Sequence, residues 1–187
     1  MSLRVHIAAR PDKPIADRLA RLALLLVIAT PAAVPANQVC KYDSIAATAP
    51  ASRFTDNGDG TVTDRDTGQM WKRCSEGQTW GAGTCTGDAS TLTWRQALQL
   101  ADDASYAGKG DWRLPDLKDL VSIVERACHS PAIDPGVFPA TPGAWYWSSR
   151  PVTSCSGGAW GVSFGYGDAG SDDEGSANHV RLVRGGQ

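Results

Sequence analysis

The stretch Gly110-Asp111-Trp112-Arg113-Leu114-Pro115-Asp116 constrains the fold of this chain more than any other. Trp112 closes a loop with a large apolar ring, Pro115 sets φ at about −65°, and Asp116 stands where an N-cap carboxylate accepts from the first free N–H groups of a helix. Leu117, Leu120, Val121 and Val124 follow at i, i+3, i+4 and i+7, which predicts a helix from Asp116 to near Ala127. Asp119 falls in its positive first turn. Upstream, Thr93-Trp94-Arg95-Gln96 fits a capping box, and Trp94, Ala97, Leu98 and Ala101 repeat the same spacing, so a second helix is expected to fade near Ser105. Each helix carries one apolar stripe and needs a sheet to pack on.

The strands flank these helices. Between Arg53 and Asp64, Asn57-Gly58 and Asp59-Gly60 supply the positive φ angles of tight turns, and Thr61 to Asp64 should pair with Gln69 to Lys72 through Asp66-Thr67-Gly68. A calcium loop is a poor fit to the same acidic stretch. With Gly60 as the sixth position, the first is Thr55 and no bidentate Glu stands at the twelfth. Toward the C-terminus the period changes to alternation, predicting short strands at Trp145 to Ser149, Trp160 to Phe164 and His179 to Arg184. Trp160, Val162 and Phe164 share one face of their strand. Ala159, Gly161 and Ser163 on the other are small enough to admit a close neighbour. Gly165 to Ala177, between the last two strands, reads as a Gly-rich acidic loop.

The first 36 residues differ from the rest. Arg4, Arg10, Lys13, Arg18 and Arg21 precede an apolar run from Leu22 to Thr30 that is too short to span a bilayer stably, and Val34-Pro35-Ala36 suits a signal peptidase. Residues 1–36 are therefore expected to be an export signal cleaved after Ala36, 37–52 a linker, and 53–187 one domain, with no stable membrane span after cleavage. Cleavage would leave 13 Lys and Arg against 18 Asp and Glu, moving the formal net charge from −2 to −5. An acidic surface without clustered Lys and Arg opposes nucleic acid and sulfated polysaccharide. The expected location is periplasm, cell surface or secreted.

All five cysteines lie beyond residue 36, where an oxidising compartment lets disulfides persist. No spacing resembles a CxxC pair, so neither a metal site nor a cofactor is expected. Cys74 and Cys85 bracket turn-forming sequence and form the first expected bridge; Cys128 with Cys155 is the second. Cys40 is left as a free thiol in the linker, either inert or able to cross-link the domain to itself as a dimer or to an envelope partner.

Taken together, several ordered blocks resemble the Legionella collagen-like protein C-terminal domain family, a group of exported bacterial domains. They are Arg53 to Asp64, Thr67 to Trp71, Thr93-Trp94 with Ala97, Asp111 to Pro115, Pro131 to Asp134, Phe138-Pro139, Tyr146 to Ser149 and Val180 to Arg184. The resemblance implies an α+β, C-type-lectin-like fold, with two helices around a small twisted, mainly antiparallel sheet and long loops. It also implies surface adhesion or glycan binding as a class. The chain departs from the wider lectin group in lacking Glu-Pro-Asn, Gln-Pro-Asp and Trp-Asn-Asp, the calcium-dependent sugar motifs, and it has no Gly-X-Y repeat to build a trimer. Formylglycine-generating enzymes share the broad fold, but their copper-holding cysteine pair, four residues apart, has no counterpart here.

Function is therefore expected in recognition rather than catalysis. His129 and His179 have no nucleophile or carboxylate partner recognisable in the sequence. Of the seven tryptophans, Trp71, Trp94, Trp112, Trp147 and Trp160 sit in fold-defining blocks and read as core. Trp80, inside the Cys74 to Cys85 loop, and Trp145 are the candidates for exposure. With Tyr166, Asp168, Asp172, Asp173 and Glu174 they form the expected ligand surface, for a protein or a neutral glycan. The alternative is a structural envelope domain cross-linked through Cys40.

Overall fold

The computed structural model describes residues 38–153 and 157–186; the expected export signal and Cys155 lie outside them. In chain order the elements are β1 (Val39–Cys40), β2 (Phe54–Asp56), β3 (Thr61–Asp64), β4 (Met70–Lys72), β5 (Thr79–Gly81), β6 (Thr84–Thr86), β7 (Thr91–Leu92), α1 (Trp94–Asp102), α2 (Leu117–Ser122), β8 (Cys128–His129), β9 (Trp145–Pro151), β10 (Gly158–Ser163), β11 (Ala169–Asp173), β12 (Asn178–His179) and β13 (Val183–Arg184). The result is a mixed α/β domain, mostly strands, with two short helices. A five-stranded sheet runs β11-β10-β9-β12-β7 and a four-stranded one runs β13-β4-β3-β2, with two further strand pairs, β1 with β8 and β5 with β6. All pairings are antiparallel except β12 with β9.

Neighbouring side chains on β9 divide the core. Successive residues of a strand point to opposite faces, so Tyr146 enters a cluster with Leu120 of α2, Ile123, Phe138, Val162 and Phe164. Trp147 enters another with Ala97 and Ala101 of α1, Trp112, Leu114, Val180 and Leu182. The helices thus serve opposite faces of one sheet, and each begins at a capping box, on Thr93 with Gln96 and on Asp116 with Asp119.

The Gly110–Asp116 stretch is a junction. Trp112 is buried and its indole N–H donates to the Tyr106 carbonyl at 3.1 Å. Arg113 exchanges backbone bonds with Val183 at 2.8 and 3.1 Å. One carboxylate, Asp119, accepts from the Asp116 N–H at 2.8 Å, from Arg113 at 2.7 Å and from Gln69 at 2.5 Å. Helix start, strand end and loop close on that one residue.

Four expectations are corrected. The second helix stops at Ser122 rather than near Ala127, because the Glu125 N–H donates to the Ala132 carbonyl and pulls the chain out of helical register. His179 to Arg184 is two strands in two sheets: Glu76 and Lys72 N–H groups bond the Val180 and Leu182 carbonyls while the chain crosses between them. The 37–52 segment is, over its described part, bound into the domain. Gln38 donates to the Pro131 and Ile133 carbonyls, Ala49 is buried, and the buried Glu125 carboxylate accepts the N–H groups of Thr48, Ala49 and Ala127 at 3.0 to 3.1 Å. The fourth correction concerns the cysteines. Cys40, expected free, is bonded to Cys128, so the expected Cys128–Cys155 bridge is not formed; the β1–β8 pair sets Cys40 directly opposite Cys128. Cys74 is bonded to Cys85.

Arg181 is fully buried, and among the described residues no carboxylate pairs with it. Its guanidinium donates to the carbonyls of Lys72 at 2.9 Å and Arg73, and to the hydroxyls of Ser75 at 3.3 Å and Thr141 at 2.6 Å. It lies over the rings of Phe138 and Tyr146. Burial lowers its pKa, yet an Arg side chain remains protonated in a protein, so this is a fixed positive charge that stitches the two sheets.

Candidate functional site

β9, β10 and β11 form a meander with Trp145, Tyr166 and Asp168 at one end and Asp172, Asp173 and Glu174 at the other. β11 occupies the middle of Gly165 to Ala177, so that segment is not one loop. It is a turn, an edge strand paired residue for residue with β10 from Val162↔Ala169 to Gly158↔Asp173, and a second turn. The alternation of small residues is too polar to announce a buried strand, but a single neighbour, β10, suffices to hold an edge strand.

Trp145 is 38% exposed. Its indole crosses two strands over a pair of glycines, Gly161 and Gly170, which face each other in the β10–β11 register. A methyl group on Gly170 would come within 2.8 Å of the ring. The small face of β10 noted in the sequence is thus filled by Trp145, held with one face on backbone and the other toward solvent. At the β10–β11 turn, Tyr166 is 71% exposed, and its ring stacks on His129 at 5.8 Å with the planes 20° apart. Beside it opens a cleft of about 510 Å³ lined by Ser130, Pro131, Pro135, Thr141, Pro142 and Tyr166 among others, none of them charged.

The acidic residues divide in role. Asp172 accepts from Ser176 at 2.8 Å and Asn178 at 3.1 Å, and the Asp173 N–H donates to it at 2.8 Å. Burial works against that carboxylate, but these hydrogen bonds outweigh it and hold its pKa below the ordinary value. Asp173 accepts from the Gly175 N–H, and Glu174 stands 3.4 Å from Arg95. Asp168 is exposed. Asp172 therefore shapes the turn, while Asp168 and Asp173 present charge to solvent.

Trp80 does not join this surface. It is half-buried on the β5–β6 hairpin, with the Arg73 guanidinium 4.3 Å from its ring centre and Gly60 against it, so the Cys74–Cys85 loop turns its indole inward. The acidic turns near Asn57 are likewise structural. Asp56 accepts from Gly58 N–H and from Arg73, and Asp59 accepts from the N–H and hydroxyl of Thr61. Among the described residues, no group of three or more His, Cys, Asp or Glu could hold a metal ion. Sequence reasoning missed the stacking of His129 on Tyr166, since the two are brought together by long-range backbone bonds from Ser130 N–H to the Gly165 carbonyl and from Ala132 N–H to the Phe164 carbonyl.

Two disulfides fit an oxidising, extracytoplasmic compartment. Among the described residues, no helix is long and apolar enough to cross a membrane. No curated protein matches the sequence. The profile of the Lcl C-terminal domain matches residues 60–184, a span that runs from the β2–β3 turn through β13 and takes in both helices and the meander. The chain belongs to the Lcl C-terminal domain family.

Proposed function

We propose that this domain is an exported, non-enzymatic recognition or adhesion module of C-type-lectin-like architecture, acting in the periplasm, at the cell surface or after secretion. Its ligand surface is the Trp145 and Tyr166 end of the β9–β10–β11 meander with the neutral cleft beside Tyr166, and its ligand is a protein or a neutral glycan. The observation that carries this reading is the pair of exposed aromatic rings, Trp145 and Tyr166, each held in place by a partner on one face. A ring already fixed loses little conformational freedom on binding, so its contact area contributes to affinity at low entropic cost. The uncharged cleft suits hydroxyl-bearing or peptide ligands rather than polyanions, as does the net acidity of the chain from residue 37 onward. The alternative of a domain cross-linked through Cys40 loses its thiol, which Cys128 occupies.

The test is a neutral-glycan array and an envelope-protein panel probed with the oxidised domain and with Trp145→Ala and Tyr166→Ala. Ligands of the wild type are expected to bind at least tenfold more weakly to one or both variants while the melting temperature stays within a few degrees. Hits unaffected by both substitutions, or a wild-type domain that binds nothing on either panel, would overturn the reading.

A further inference from the structure

The edge of the five-stranded sheet carries an inference that rests on the proposed recognition surface and narrows it. Two bonds bracket β11: Ser163 N–H donates to the Asp168 carbonyl and Glu174 N–H to the Gly157 carbonyl, both at 2.8 Å. In an antiparallel ladder, inward- and outward-facing backbone groups alternate, so with an unbroken register the even-numbered residues bond to β10. The N–H and C=O groups of Ala169, Ser171 and Asp173 face away from the sheet. Those of Asp173 are met locally, by the Asp172 carboxylate and the Ser176 N–H. Ala169 and Ser171 are left with two N–H and two C=O groups that have no partner among the described residues.

An exposed edge of this kind accepts another strand unless something prevents it. Here charge selects the partner. Asp168 and Asp173 flank the open groups, so a second copy of β11 is repelled and a cationic strand is attracted. The pleat sharpens the choice: Asp168, Gly170 and Asp172 share the face on which Trp145 lies, by the two-residue repeat. Gly170 has no side chain, so a residue of the incoming strand beside it meets the indole directly. A Lys or Arg there gains a cation–π contact with carboxylates two residues to either side.

We propose that β11 is a docking edge for an extended, Lys- or Arg-bearing polypeptide segment, which adds to the sheet as a sixth strand and sets a cationic side chain on Trp145. Main-chain bonds to Ala169 and Ser171 supply the pairing; the acidic flanks and the indole supply the preference.

The probe is a fluorescein-labelled peptide of five Lys-Thr repeats, compared at physiological salt with a Glu-Thr peptide and with a Lys-Thr peptide N-methylated at alternate residues, which keeps the charge and removes strand-pairing donors. The protein is the oxidised domain, its Trp145→Ala variant and Ser171→Pro. The Ser171 N–H points outward, so proline there removes a docking donor without breaking a bond to β10. The wild type should bind the Lys-Thr peptide at least tenfold more tightly than either control peptide, and both substitutions should weaken it by a similar factor. Equal binding of the N-methylated peptide would show attraction by charge alone and overturn the proposal, as would no binding of the Lys-Thr peptide. If Ser171→Pro lowers the melting temperature, the N-methylated peptide decides alone. A Trp145-dependent neutral-glycan hit with no Lys-Thr binding would leave the recognition surface standing and remove this inference.

Discussion

Arg181 shows most clearly how much one residue holds. It is buried at the seam of the two sheets and donates to two carbonyls and two hydroxyls; the Ser75 hydroxyl is also bonded to the Tyr146 hydroxyl, and Thr141 donates to the Phe138 carbonyl. Arg181→Ala removes the donor from the Lys72 and Arg73 carbonyls, and each buried group left unmet costs about 1–3 kcal/mol, while the two hydroxyls keep their other partners. Urea unfolding should therefore show a loss of at least about 2 kcal/mol. Arg181→Lys should recover little of it, because an ammonium cannot span the fork that reaches Thr141 on one side and Lys72 on the other. Asp64 gives a pH signature. Its burial opposes the charged form, but hydrogen bonds from Arg53, the Thr67 hydroxyl and the Asp66 N–H outweigh that and hold its pKa below the ordinary 3.8. A depressed folded value means the stabilisation is full above about pH 4, where the unfolded carboxylate is ionised, and is lost as pH falls through the folded value. Asp64→Asn should be less stable than wild type at neutral pH, with the difference closing in strong acid; a pH-independent difference would contradict this assignment.

At the scale of elements, what was legible followed from local chemistry. Thr93 and Asp116 as caps, the β3–β4 pair and the Cys74–Cys85 closure each depend on residues within a dozen positions of one another. What was illegible depended on partners far along the chain. The end of α2 is set by Ala132, the break between β12 and β13 by Glu76 and Lys72, and the binding of residues 38–50 by Glu125 and Cys128. A run rich in Ala, Ser and Thr looks like a linker until a buried carboxylate is found to collect its N–H groups. The two bridges should differ accordingly. Cys40–Cys128 spans 88 residues and Cys74–Cys85 spans 11, which in the loop-entropy picture correspond to about 4.6 and about 2.8 kcal/mol. Cys40→Ser should lower the melting temperature more than Cys85→Ser. Beyond the uniform loss of protection that lower global stability brings, its added amide exchange should be largest at residues 38–50 and 124–130; an equal added increase at β9 and β10 would show that the N-terminal segment supports the core rather than clasping it.

For the whole molecule, one sheet both organises the core and ends in the surface proposed for recognition. Its interior strands bury Tyr146, Trp147 and Val162, the Trp145 indole reaches from β9 over Gly170 of β11, and the free edge carries the open groups of β11. That Tyr166 and Asp168 share one turn follows from their closeness in the sequence. That Trp145 rests on a Gly161–Gly170 pair, and that Trp80 turns inward beneath Arg73, could not be read there, because both follow from strand register and packing across the fold. The most direct measurement is amide exchange resolved at single residues, with and without the Lys-Thr peptide. The account predicts slowed exchange at Ala169 and Ser171, with Gly170 and Asp172, already bonded to β10, little changed. Bound peptide with no slowing at those two amides would contradict it.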